Sequence, residues 1–175
     1  MECVDQITSE KGGLKRAIVV YDTKFGNTEK IAQSLEAGLK ESGVQTFCSN
    51  AINVEPESLE EYDLIAVGAP TQMFSASKPM KEFLVKVNGS GVSGKFGFAF
   101  DTKYESRLSG SAAKYIEKEL RNLGLEMIAP RESAIVVALS EGGGAARLKE
   151  REDIRFHAIG SQVGRALASR KMIPV

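Results

Sequence analysis

Short, uninterrupted apolar runs alternate along this chain with longer amphipathic stretches, and this alternation limits the possible folds more than any other feature. The runs are rich in β-branched residues, as in AIVVY over residues 17–21 and AIVVAL over residues 134–139. A strand is apolar at every position when both faces of its sheet are covered, and amphipathic helices provide such covers. The alternation therefore predicts an α/β fold in which a doubly wound parallel sheet has helices on both faces.

The pattern predicts five strands and four helices. The strands are expected at residues 17–21, 46–48, 64–68, 96–100 and 134–139, and the helices at residues 27–42, 79–87, 110–123 and 154–168. No linker or internal repeat divides the sequence, so we expect one domain over residues 15–175, preceded by a loosely ordered lead-in over residues 1–14. Ligands bind at the carboxyl ends of the strands in such sheets. The loops after strands one, three, four and five are therefore the candidate binding segments.

Composition narrows the possible partners and location. Lys plus Arg and Asp plus Glu each number 23, so the formal net charge is zero, whereas nucleic acids and anionic membranes attract a basic surplus. We therefore expect neither of these as a partner. Cys3 and Cys48 are far apart and not at metal-ligand spacing, which argues against a disulfide framework or a metal site and favours a reducing compartment. With no apolar run near the roughly 20 residues that span a bilayer and a polar N-terminus, we expect a cytoplasmic protein.

The loop after the first predicted strand combines hydroxyl and amide side chains with a glycine. It reads DTKFGNT over residues 22–28 and opens directly into a predicted helix. A helix N-terminus presents unpaired N–H groups and the positive end of the helix dipole. Thr23, Asn27 and Thr28 can add side-chain donors, and Gly26 lets the backbone curl around a ligand. The sequence therefore predicts an anion site, with ordinary helix capping by Asn and Thr as the alternative.

Several known site classes are excluded by their missing motifs. The chain lacks G-x-x-x-x-G-K-[ST], which excludes a P-loop nucleotide hydrolase, and it lacks G-x-G-x-x-G after the first strand, which argues against a nicotinamide-binding domain. Neither cysteine begins a C-x₅-R loop, so a cysteine phosphatase is excluded. The third strand ends in GAPT, where a response-regulator receiver needs a phosphorylatable Asp. His157, the single histidine, has no partner for nucleophilic catalysis nearby and is interpreted as a structural or surface residue.

Residues 21–32 resemble the flavodoxin signature, in which a strand is followed by [ST]-x-x-G-x-T and a helix. The GAPT segment at residues 68–71 and the PMKEFL helix start at residues 79–84 are also similar to flavodoxins and related FMN-binding quinone reductases. The resemblance extends over residues 15–170 and implies a five-stranded sheet in the flavodoxin-like order 2-1-3-4-5. It also implies FMN as the cofactor, bound without a metal, and the flavin rather than any catalytic side chain as the redox group.

The resemblance assigns three loops to FMN. The residues that it implies are Thr23, Lys24, Phe25, Gly26, Asn27 and Thr28 at the phosphate, Pro70, Thr71, Gln72, Met73 and Phe74 along one side of the flavin ring, and Asp101, Thr102, Lys103 and Tyr104 along the other. Phe74 packed in the core under a turn is the alternative interpretation of that residue. The residues SGS at 109–111 are interpreted as a helix cap, and the triple glycine at residues 142–144 as a mobile connector.

Charge in the third loop bears on function within the family. Many flavodoxins have several carboxylates there, but this chain also has Lys103 and Arg107, and a cation near the ring favours the doubly reduced, anionic flavin. The function implied is electron transfer between redox partners on FMN. The zero net charge leaves an FMN-dependent NAD(P)H:quinone reductase-like enzyme as an alternative, and a flavin-free interaction module is a third. The partner is expected to be a redox protein or a small quinone or NAD(P)H, and the oligomeric state is left open.

Overall fold

The predicted alternation of strands and helices is present in the computed structural model, which describes residues 13–140 and 144–175. The strands are β1 (Arg16–Tyr21), β2 (Gln45–Asn50), β3 (Leu64–Gln72), β4 (Ser75–Ala76), β5 (Phe96–Tyr104), β6 (Glu126–Met127), β7 (Glu132–Ala138) and β8 (Ala146–Leu148). The α-helices are α1 (Asn27–Glu41), α2 (Lys78–Val87), α3 (Ala112–Asn122) and α4 (Glu152–Ser169), and short 3₁₀ helices cover Ala51–Asn53 and Pro56–Glu61. None of the helices in the described segments is both long and apolar enough to cross a membrane.

The five long strands form one parallel sheet in the order β2-β1-β3-β5-β7. This confirms the predicted order 2-1-3-4-5, because β5 and β7 are the fourth and fifth predicted strands. In the described residues, three short strands add to the five that were expected: β8 pairs antiparallel with β7, β4 pairs antiparallel with β3, and β6 adds a short parallel pair to β5. These additions are two or three residues long, which is too short to produce an apolar pattern.

Two strands run further than their apolar runs. β3 and β5 are nine residues each, and their pairing continues through Ala69 opposite Asp101 and Pro70 opposite Thr102. The sequence predicted loops at these positions because their residues are polar or are glycine and proline. The extension carries the ends of two neighbouring strands into the candidate binding region.

The sheet is covered on both faces, as the continuous apolar strands predicted. Along β1, Val19 faces a cluster formed with α1 and α4, and Val20 faces a cluster formed with α2 and α3. Phe98 and Phe100 of β5 are buried in the first cluster together with Phe156 of α4. These two layers fix the sheet rigidly beneath the loops at its carboxyl edge.

Helices α1 and α4 touch through glycines. A Cβ atom added at Gly38 would overlap the carbonyl oxygen of His157, and one added at Gly160 would overlap the carbonyl oxygen of Leu35. The two backbones therefore approach more closely than any larger residue would permit. Since α1 begins at the predicted anion site, this contact fixes the axis of the helix that points toward the site.

Two of the expectations fall largely or partly outside the described residues. The lead-in prediction for residues 1–14 is described only at Gly13 and Leu14, which lie outside any helix or strand. The connector prediction for residues 142–144 is described only at Gly144. The third predicted helix starts at Ala112 rather than at residue 110, because Gly110 has a φ of 72°.

Candidate functional site

A cleft of about 180 Å³ opens at the carboxyl ends of β1, β3 and β5, where the three predicted loops meet. The predicted residues that line it are Thr23, Lys24, Phe25, Asn27, Thr28, Pro70, Thr71, Gln72, Thr102, Lys103 and Tyr104. Gly26, Met73, Phe74 and Asp101 were also predicted but do not line it. The cleft is thus formed by segments that are remote in sequence and that the parallel sheet brings to one edge.

The start of α1 leaves backbone donors free beside this cleft. Gly26 adopts a φ of 81°, and its N–H donates to Thr23 Oγ1 at 3.0 Å. No side chain caps α1, so the alternative of ordinary capping by Asn or Thr is wrong. The first intrahelical bond runs from Lys30 N–H to the Gly26 carbonyl. Over the described ranges, the N–H groups of residues 27–29 have no acceptor, which leaves them for an anion.

Hydrogen bonds to other protein groups fix the side chains of this loop. Thr28 Oγ1 and Thr102 Oγ1 are 2.8 Å apart, and both residues are buried. Only one of the two hydroxyls donates in this hydrogen bond, so the O–H of the other remains available to a ligand. Asn27 Nδ2 donates to the Ala146 carbonyl at 2.8 Å. The three donors expected from the sequence are therefore present, but Thr23, Asn27 and Thr28 each also bind a protein group.

Tyr21 links the end of β1 to the first turn of α1. Its hydroxyl donates to Glu29 Oε1 at 2.9 Å. Burial, together with this bond and the Glu29 charge, raises the pKa of Tyr21 to about 12. The phenol therefore stays protonated at neutral pH and remains a donor to Glu29.

Two consecutive residues of the second loop adopt an unusual backbone conformation. Met73 and Phe74 connect Gln72 of β3 to Ser75 of β4 as a two-residue hairpin loop, and their φ angles are 45° and 67°. Two positive φ angles are typical of a type I′ turn, for which Asn-Gly is the usual sequence. Met73 is 94% exposed and Phe74 is 72% exposed. The alternative of a core-packed Phe74 is therefore wrong, and the strain holds two apolar side chains out in solvent.

Gly110 supports this hairpin from the third loop. It pairs with Phe74 in an isolated parallel bridge, and a Cβ atom at Gly110 would overlap the Phe74 backbone. Lys103 Nζ donates to the Gly110 carbonyl at 3.2 Å. Gly110 therefore couples the exposed hairpin to a lysine that lines the cleft.

Asp101 lies beneath the cleft rather than in its wall. It is completely buried, and its Oδ2 accepts hydrogen bonds from Thr71 Oγ1 at 3.1 Å, Ser111 Oγ at 2.7 Å and the Ala113 N–H at 2.9 Å. The carboxylate thus sits at the positive end of α3 and ties the second loop to the third. Ser111 Oγ also accepts the Lys114 N–H, which confirms that Ser111 caps α3.

Two lining residues were not predicted, and the lone histidine lies elsewhere. Val136 and Ala146 contribute to the cleft from β7 and β8. In the sequence, only Asn27 pointed to these residues, because its side-chain amide needs a hydrogen-bond partner. The residues near Asn27 in the chain do not indicate that this partner is the Ala146 carbonyl. His157 Nε2 lies 3.0 Å from Glu41 Oε2 on the outer side of α1 and α4. Within the described part of the chain, no group of three or more His, Cys, Asp or Glu could hold a metal ion.

Comparisons with known proteins agree with this geometry. A family model described as Flavodoxin matches residues 19–155. The chain is 33% identical over 85 residues to a flavodoxin of Clostridium saccharobutylicum, covering 48% of this chain and 53% of that protein. It is 28% identical over 130 residues to the type A flavoprotein fprA of Rhodobacter capsulatus, covering 71% of this chain and 29% of that protein. The chain thus spans about half or less of the length of these curated relatives.

A solved structure extends the likeness to the whole fold. A flavodoxin from the domain Archaea superposes with a TM-score of 0.72 at 24% sequence identity, over 87% of this chain and 98% of that one. At this identity the likeness establishes the fold, while the match of the family model to residues 19–155 establishes the relationship.

Proposed function

The chain belongs to the flavodoxin family, and from that premise we propose that it carries electrons between redox partners on FMN whose phosphate lies in the loop at residues 23–28. Membership makes FMN the cofactor and electron transfer the general function. One observation carries the assignment of residues: a cleft at the sheet edge has free helix N–H groups on one side and exposed apolar side chains on another.

The phosphate end of the cleft has the chemistry that a dianion requires. The backbone N–H groups of residues 27–29 point out of the positive end of α1, and the Thr28–Thr102 pair offers one further O–H. Lys24 lines the same cleft and adds a positive charge. These groups bind a phosphate without a metal, because the helix terminus and the lysine already balance much of its charge.

The ring end has the chemistry that a flat aromatic system requires. Tyr104 lines the cleft and is partly exposed, and Met73 and Phe74 lie at the hairpin tip beyond Gln72. Apolar and aromatic walls bind a flavin by its faces and exclude water from them. When bound, FMN supplies the storage of one or two electrons, and the residues of the chain hold and orient it.

The partner and the location complete the proposal. We propose a redox protein as the partner, with a quinone or NAD(P)H as the small-molecule alternative, and residues 15–175 as one functional domain. Multiple turnovers of NAD(P)H and quinone by the isolated protein would contradict a carrier and identify a reductase. The two cysteines, which show no disulfide spacing, support a reducing, cytoplasmic location.

Titration of the apo-protein with FMN and with riboflavin tests the phosphate assignment. Thr28→Val removes a buried hydroxyl from the cleft, and we expect the affinity for FMN to fall about tenfold, since a hydrogen bond to a charged group is worth about 1.5 kcal/mol or more. The affinity for riboflavin, which has no phosphate, should stay unchanged. Fluorescence quenching on binding measures both affinities.

Thr46→Val is the matched control for this titration. Thr46 of β2 is also a buried threonine, but its hydroxyl donates to the carbonyl of Val44, just before that strand, and it does not line the cleft. This variant should bind both ligands as the unmodified protein does. Equal loss of FMN and riboflavin affinity in Thr28→Val would contradict a phosphate contact, and failure of the unmodified protein to bind FMN would contradict the proposed function itself.

A further inference from the structure

The charged residues that line the cleft are all cations. Across residues 13–140 and 144–175, the lining includes Lys24 and Lys103 but no carboxylate. The acidic residues next to the lining residues in sequence bind other protein groups. Asp22 accepts a hydrogen bond from Ser77 Oγ, and Glu29 accepts one from the Tyr21 hydroxyl. Asp101 is buried against the start of α3, and Glu105 pairs with Lys149 at 2.9 Å. An anionic group that enters the cleft therefore meets positive charge without a competing carboxylate.

Lys103 lies on the side of β5 that faces away from the phosphate loop. Successive side chains of a strand point to opposite faces, and Thr102 already points to Thr28 of α1. Lys103 instead reaches the Gly110 carbonyl at 3.2 Å, and Gly110 abuts the backbone of Phe74. Lys24 belongs to the phosphate loop, so the two lysines serve opposite ends of the cleft.

The Lys103 ammonium is incompletely satisfied. The side chain is half-buried, and in the described residues it has one hydrogen bond, to a neutral carbonyl, and no ion pair. An ammonium has three N–H donors, and removing a charge from water is costly unless an opposite charge compensates it. An anionic group beside the Phe74–Gly110 contact would provide that compensation.

The flavin ring becomes such a group on reduction. Oxidised FMN has a neutral ring, and uptake of two electrons and one proton leaves the ring with one negative charge. Resting on the proposed function, we propose that Lys103 is the ring-facing cation of this cleft and that it stabilises the doubly reduced, anionic flavin. Lys103 thereby raises the reduction potential of the second electron.

Reductive titration of the FMN-loaded protein tests this inference. In Lys103→Gln we expect the equilibrium constant for uptake of the second electron to fall about tenfold, which corresponds to about 59 mV for one electron. The affinity for oxidised FMN should change less than about twofold, because the oxidised ring carries no charge. Lys103→Arg retains the charge and should restore most of the potential.

Lys114→Gln is the matched control, since Lys114 is an exposed lysine on α3 that does not line the cleft. Its potentials should equal those of the unmodified protein. A tenfold weaker affinity of Lys103→Gln for oxidised FMN, with an unchanged second potential, would overturn the inference and make Lys103 a phosphate ligand. No change in either quantity would also overturn it. Failure of the unmodified protein to bind FMN would instead contradict the proposed function.

Discussion

Met73 and Phe74 show how single residues depart from local preference at this site. Non-glycine residues with positive φ are uncommon, and each costs of the order of 1 kcal/mol. Here two are consecutive, both are apolar, and both are exposed beside the cleft. A sequence selected only for stability would place Asn-Gly in this hairpin. The strain is therefore best explained by the contact that these side chains offer to a ligand.

Replacing Met73-Phe74 by Asn-Gly tests this explanation. We expect the apo-protein to become more stable by about 1 kcal/mol, because the new residues adopt positive φ without strain. The affinity for FMN should fall, because a wall of the ring site is lost. Urea unfolding and FMN titration measure the two effects.

Ile52→Asn is the control for removal of an exposed apolar side chain. Ile52 is 87% exposed and lies in a 3₁₀ helix away from the cleft. It should affect neither FMN affinity nor stability by more than about 0.5 kcal/mol. An Asn-Gly variant that gains no stability would show that the hairpin is unstrained.

At the scale of elements, the sequence predicts those features that depend on residues close together in the chain, and it does not predict those that depend on distant residues. The four helices and five long strands follow from apolar periodicity, and the end of β1 follows from a polar loop that opens into a helix. The position of Asp101 could not be predicted, because its partners Thr71 and Ser111 lie 30 and 10 residues away. The three-residue β8 is defined by pairing with β7 rather than by its own pattern.

The glycine contact between α1 and α4 predicts that a Gly→Ala substitution there destabilises the protein, which is the opposite of its usual effect in a helix. In an open helix, Gly→Ala stabilises by up to about 1 kcal/mol. At Gly160 the added methyl group would overlap the Leu35 carbonyl, so we expect Gly160→Ala to destabilise the protein by about 1–3 kcal/mol. Thermal unfolding measures the change.

Gly13→Ala is the control for this substitution. A Cβ atom there would have no neighbour within 4 Å, so the midpoint of unfolding should not fall. If Gly160→Ala raised the midpoint instead, the close approach of α1 to α4 would be disproved.

At the scale of the whole molecule, the formal net charge is zero, but one set of ion pairs makes a contribution to stability that is lost at acid pH. Glu117 of α3 binds Arg121 at 3.1 Å and also Arg131, which precedes β7, at 2.6 Å. Burial raises the pKa of Glu117, but the hydrogen bonds and charges of the two arginines outweigh burial and lower it below its ordinary value. A lowered folded-state pKa contributes stability above the unfolded value, and that contribution is lost as pH falls through the folded value.

Glu117→Gln should therefore destabilise the protein near neutral pH by about 0.5–1 kcal/mol. The difference from the unmodified protein should shrink as the pH falls through the acid range in which Glu117 is protonated. Urea unfolding at a series of pH values measures this. Glu119→Gln on the same helix is the control: no ion pair of Glu119 is found among the described residues, so this variant should be about as stable as the unmodified protein near neutral pH.

The hydrogen bonds between the loops have a consequence for how the cofactor binds. Thr28 is joined to Thr102, Thr71 to Asp101, and Asn27 to Ala146 by bonds within the protein alone. Because these bonds join protein groups only, we expect them to hold the loops in place without the cofactor, so that little chain entropy is lost when FMN binds. Stripping and reloading the flavin should accordingly be reversible, with the empty and filled forms sharing one backbone.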